Sequence, residues 1–117
     1  MVMSAQLEVP RLEDLDDLGI VIEPSSQPWV VSVIAWANDG STVKLTWDEI
    51  AGSASVRWRD GDDVRLSLER ETASKISVRD EHGRIEFRVW SRCEGLDGLL
   101  TVQVGEHVTV HDTLLRT

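Results

Sequence analysis

The sequence predicts an all-β domain, and three observations carry that prediction. Trp36, Trp47 and Trp58 recur at intervals of 11 residues, each closing a β-favouring run and each followed within five residues by a glycine, Gly40, Gly52 and Gly61. From Trp29 onward apolar residues fall at period two, the pattern of strands with a face in a core. No stretch after Trp29 repeats at the helical period, which argues against crossover helices and hence against a parallel sheet. Strand, turn, strand, turn reads as an antiparallel meander of about eight strands, and a meander that long must manage two bare edges. The expected closure is a small up-and-down barrel, with a two-sheet β-sandwich as the alternative.

Each element follows from its residues. Residues 1–6 have nothing to tether them and are expected to fray. Pro10 to Gly19 spaces Leu12, Leu15 and Leu18 by three, with proline suited to a first turn and glycine to an end, so a short helix or an extended acidic arm is expected there. Ile20 to Ile22 suits a short strand ahead of the breaker segment from Pro24 to Pro28. Trp29 to Ala37 is apolar in both alternating sets, which predicts a strand buried on both faces. Asn38 to Ser41 supplies a turn. Thr42 to Asp48 then sets Val43, Leu45 and Trp47 inward, and Ala54 to Arg59 sets Ala54, Val56 and Trp58 inward. A strand from Val64 to Glu69 turns Val64, Leu66 and Leu68 in, and Lys75 to Arg79 turns Ile76 and Val78 in. Ile85, Phe87 and Val89 alternate with Glu86, Arg88 and Trp90, so this one tryptophan falls among charges. Glu94 to Gly98 reads as a loop, and Leu99 to Val104 with His107 to Val110 as a last hairpin before a tail from Asp112. Residues 1–28 are assigned to an acidic N-terminal arm or short helix and 29–117 to a single β-domain.

Composition narrows the function. A chain of 117 residues is long enough for one core without a disulfide or metal. Net charge is −9, which repels a phosphate backbone and makes nucleic acid a poor partner. No apolar run has the length of a membrane span, and the first residues lack the basic flank and apolar stretch of a signal peptide. With a single cysteine, Cys93, a reducing cytoplasm is the expected location. The charge is uneven: residues 57–92 hold nine basic against eight acidic residues, leaving three basic and thirteen acidic for the rest. A near-neutral, arginine-rich middle sits between acidic ends.

Several residues invite chemistry and do not sustain it. His107 and His111 have the spacing of a helical zinc pair, but on a strand the two rings stand roughly 13 Å apart, too far for one ion. His82 falls in a turn. Cys93 continues the inward set of its strand and is expected to be a core thiol. Asp60, Gly61, Asp62 and Asp63 run at once into a strand, which suits a solvated hairpin turn better than a calcium loop. With no catalytic motif, no metal site and no cofactor site in view, an enzyme is the remotest reading.

Binding is the leading one. Arg88, Trp90 and Arg92 share one side of their strand, and Arg57 and Arg59 share the outward side of theirs. Arginine and tryptophan are the residues most enriched at interaction hot spots. These five are the candidate protein-binding residues, for a protein partner or for a second copy of the chain in a homodimer. The rival is that the acidic segment Glu13 to Asp17 lies across these arginines and covers them. A second function class is a barrel that binds a small apolar or aromatic ligand, with Trp36 and Trp58 at its mouth.

Overall fold

The computed structural model describes residues 7–93 and 95–116, and within them every side chain but those of Pro24, Cys93, Leu115 and Arg116. The frayed start expected over residues 1–6 and the inward thiol expected at Cys93 lie outside what is described. A short 3-10 helix, Leu12–Leu15, precedes nine strands: β1 (Val21–Pro24), β2 (Val30–Trp36), β3 (Thr42–Asp48), β4 (Ser53–Asp60), β5 (Asp63–Arg70), β6 (Ala73–Glu81), β7 (Arg84–Cys93), β8 (Leu96–Val104) and β9 (Val108–Arg116). All strand pairs are antiparallel between chain neighbours, as a meander requires, but they fall into two sheets, β1 to β5 and β6 to β9.

The sheets do not close into a barrel; the chain takes the sandwich alternative. The break is at Glu71 and Thr72. Instead of laying β6 beside β5, the chain leaves the first sheet there and starts the second, and the corner is held by Ala73 N donating to Gly52 O (2.9 Å) and Arg92 N to Thr72 O (3.1 Å). The edges that a barrel would remove are handled locally. The Glu8 backbone lies parallel to β6, donating to Ser74 O and accepting from Ile76 N, so the N-terminal stretch caps the start of the β6 edge.

Turn chemistry explains the tight hairpins. Between β6 and β7 the loop is His82 and Gly83 alone, with φ of 56° and 83°, the doubly positive geometry that matches strand twist in a two-residue hairpin. Asp80 Oδ1 accepts from Gly83 N at 2.9 Å and fixes it.

One core lies between the sheets. Val33, Leu45 and Val56 align across the first sheet, and Phe87, Val102 and Val89 belong to the second; all are at most 1% exposed. Trp47 is the largest side chain among them, also at 1%. Leu7 and Leu15 reach the same core from the N-terminal stretch.

Two strand expectations need correction. β2 is not buried on both faces: Val31, Val33 and Ala35 enter the core, whereas Val30 and Ile34 are half-buried and Trp36 is 52% exposed. Its outward set, Ser32 apart, is apolar and only partly covered. Val64 is not inward either. A register shift between Trp58 and Arg59 sets Val64 opposite Arg59 on the outer face, where it is 49% exposed.

Candidate functional site

The five candidate protein-binding residues do not come together. Arg88, Trp90 and Arg92 stand on the outer face of the second sheet, Arg57 and Arg59 on that of the first, with the core between them.

On the second sheet each group already has a partner. Lys75 Nζ lies 5.2 Å from the Trp90 ring centre, a cation–π contact across the β6–β7 pair. Arg92 Nε donates to Asp97 Oδ1 at 2.8 Å. Arg88 Nε sits 2.7 Å from Glu86 Oε1, close as an ion pair though not aligned as a hydrogen bond, and Arg79 Nη2 is 3.4 Å from the same oxygen. Gln103 Nε2 donates to Glu86 Oε2 at 3.1 Å. These neighbours leave Glu86 only 3% exposed on an outward face. Burial alone would push its carboxyl up. The Gln103 amide and the guanidinium groups of Arg88 and Arg79 outweigh that and hold it below the ordinary glutamate value of 4.5.

The acidic segment does not supply these partners. Arg11 pairs with Glu13, and its Nε lies 3.9 Å from Asp14, so that charge is met locally. What covers Trp90 is Lys75, and Glu8 approaches Lys75 Nζ at 4.0 Å.

The first sheet's outer face differs. In register, Trp36 lies opposite Thr42, Thr42 opposite Arg59, and Arg59 opposite Val64, so tryptophan, arginine and valine cross the sheet in one row. The adjacent row runs Val21, Ile34, Lys44, Arg57. Lys44 pairs with Glu23 at 3.3 Å. The guanidinium groups of Arg57 and Arg59 have no hydrogen bond or ion pair among the described residues, and Trp36, Val21 and Val64 are all exposed. Sequence alternation found the two arginines here but missed the apolar members. Their signal was present in the outward set Val30, Ile34, Trp36, which the twofold-apolar pattern disguised as core.

Trp36 and Trp58 share one end of the sheet, away from Trp47, as strand reversal dictates. They occupy opposite faces, however. Trp58 points inward beside Val43 and Leu66, packed on the core with its indole Nε1 buried and unpartnered. The two rings therefore do not line a common mouth. Trp36 instead borders an open groove of about 500 Å3 at the end of the sandwich, together with His82 and His107. Among the described residues no group of three or more His, Cys, Asp or Glu could hold a metal ion, and His111 stands apart on β9 opposite Thr101. No helix among the described residues is long and apolar enough to cross a membrane.

These features define a two-sheet β-sandwich with meander connectivity and two chemically distinct outer faces. No protein-family model matches the chain, and no curated protein matches it by sequence. Among solved structures it is similar to a chain of a contact-dependent growth inhibition toxin and immunity protein complex from Klebsiella pneumoniae 342. The TM-score is 0.74, with 13% identity, and the match covers 92% of this chain and 96% of that one. At this identity the likeness is one of fold.

Proposed function

We propose that this chain is a small non-catalytic domain that binds another protein through the outer face of its first sheet, with Trp36, Arg57 and Arg59 as anchors. The observation that carries the reading is the pairing of a half-exposed tryptophan with two guanidinium groups that have no hydrogen bond or ion pair among the described residues. A ring already at the surface and arginines free to fork onto carboxylates need lose nothing internal when a partner covers them. The second sheet's Arg88, Trp90 and Arg92 would have to leave Glu86, Lys75 and Asp97 first. The fold neighbour was solved in a complex of two proteins, which supports a protein as the partner. Net charge of −9 works against a second copy of the same chain and favours a basic one. A cytoplasmic site of action fits the lone cysteine.

The test is recovery of partners from the native source by the parent chain and by Trp36→Ala with Arg57→Glu and Arg59→Glu. All three positions are exposed, so the fold should survive. A partner held by the parent should bind the triple variant roughly 30-fold more weakly or worse, as loss of hot-spot residues implies. It should be retained by Arg88→Ala with Arg92→Ala. The reverse pattern sinks the proposal.

A further inference from the structure

The groove beside Trp36 is built where the two sheets are tied end to end. Asn38 N donates to Gly105 O at 2.8 Å and Asp39 N to Glu106 O at 3.0 Å, so the β2–β3 turn and the β8–β9 turn are fixed against each other by backbone. Leu18, Trp36, Asp80, Arg84, Glu106 and His107 contribute to its walls. The one guanidinium among them, Arg84, leans toward Gln103, its Nη1 3.4 Å from Oε1. The Glu106 carboxylate has no hydrogen bond or ion pair among the described residues, and Asp80 commits only Oδ1, to the Gly83 amide.

A half-exposed indole with two uncommitted carboxylate positions nearby, on a chain of net charge −9, suits a cation. The flat ring face attracts an ammonium or guanidinium, and the carboxylates give it charge-assisted hydrogen bonds. We propose that the groove receives an arginine or lysine side chain from the protein partner, whose remaining surface lies on the Trp36, Arg57, Arg59 face. This rests on the protein-binding reading and adds the partner's chemistry to it: a basic side chain at the sandwich end, carboxylates over the sheet.

The probe is a short oligoarginine peptide added to the full chain and followed by amide and indole NMR shifts, with an oligoglutamate peptide as counterpart. Oligoarginine should move the Trp36 indole signal and the amides of Gly105 and His107. Its affinity should fall roughly tenfold or more in Glu106→Lys, as reversal of a contacting charge implies. Glu49→Lys makes the same change in net charge on the β3–β4 turn, at the opposite end of the first sheet, and should have a much smaller effect. Shifts centred on Asp60 to Asp63 or on Asp14 to Asp17, equal losses in the two lysine variants, or a groove that answers oligoglutamate would each overturn the proposal. None of those outcomes touches the outer-face reading, which recovery of partners by Arg57→Glu with Arg59→Glu, Trp36 left in place, decides separately.

Discussion

Glu86 shows what one side chain hides from alternation. It falls in the outward set of β7, where a solvated carboxylate is expected, yet long side chains from three strands close over it. Nothing in the local pattern announces this, because Arg79 and Gln103 arrive through register with β6 and β8. The consequence is measurable. Glu86→Gln should cost about 1–3 kcal/mol at neutral pH, since it removes the charge that pairs with two guanidinium groups. A carboxyl held low in the folded state stabilises fully above the unfolded value and loses that contribution as pH falls through the folded one. The difference between parent and variant in urea denaturation should therefore shrink with acidification below 4.5, the ordinary value. A difference independent of pH would mean that the ion pairs contribute nothing. Trp47 is the opposite case, legible from the start: inward by alternation, 1% exposed in the fold. Trp47→Ala should destabilise by about 3–5 kcal/mol in the same assay, a large share of the 5–15 kcal/mol typical of a domain.

At the scale of elements, the strands and hairpin turns from Thr42 to Arg92 could be read closely, Val64 apart, and the boundaries of the last two strands could not. Gly95 and Gly98 looked like loop residues, and the chain from Asp112 like a tail. In the structure β8 begins at Leu96 and β9 runs on to Arg116, paired throughout. Gly98 is a strand glycine kept for closeness: a Cβ there would sit 2.7 Å from Ser91 Oγ and 3.2 Å from Leu114 Cδ2. A glycine of this kind and a turn glycine look alike in sequence. Gly98→Ala should cost about 1–3 kcal/mol by crowding, and adding Ser91→Ala should restore much of it, because the closest atom is then gone. Failure of the second change to rescue the first in thermal melts would place the strain elsewhere. The β4–β5 bulge was equally silent, and it decides on which face Val64 lies.

For the whole molecule, period two states that strands exist and which side faces in, but a barrel and a sandwich share that period. The difference is made at Glu71 and Thr72, by bonds to Gly52 and Arg92 from elsewhere in the chain. Exposed side chains are legible in proportion to how little they depend on such distant partners. The outward placement of Arg57 and Arg59 followed from alternation alone; whether Arg88 and Arg92 are already paired depended on Glu86 and Asp97, which only the assembled sheet places beside them.

The same corner has a further meaning. Every strand pairs only with strands of its own contiguous half, residues 21–70 or 73–116, so no hydrogen-bonded ladder crosses the Glu71–Thr72 link. The covalent chain there is a tether between two self-contained ladders that share a single core. Divided between Glu71 and Thr72 and produced together, the two pieces should find each other and regain the parent's circular dichroism, the Glu8 backbone beside β6 acting as a clasp from one piece to the other. Each piece alone, with its apolar face bare, should not stay in solution. The domain would thus serve as a split reporter, reconstituted by whatever brings its halves together.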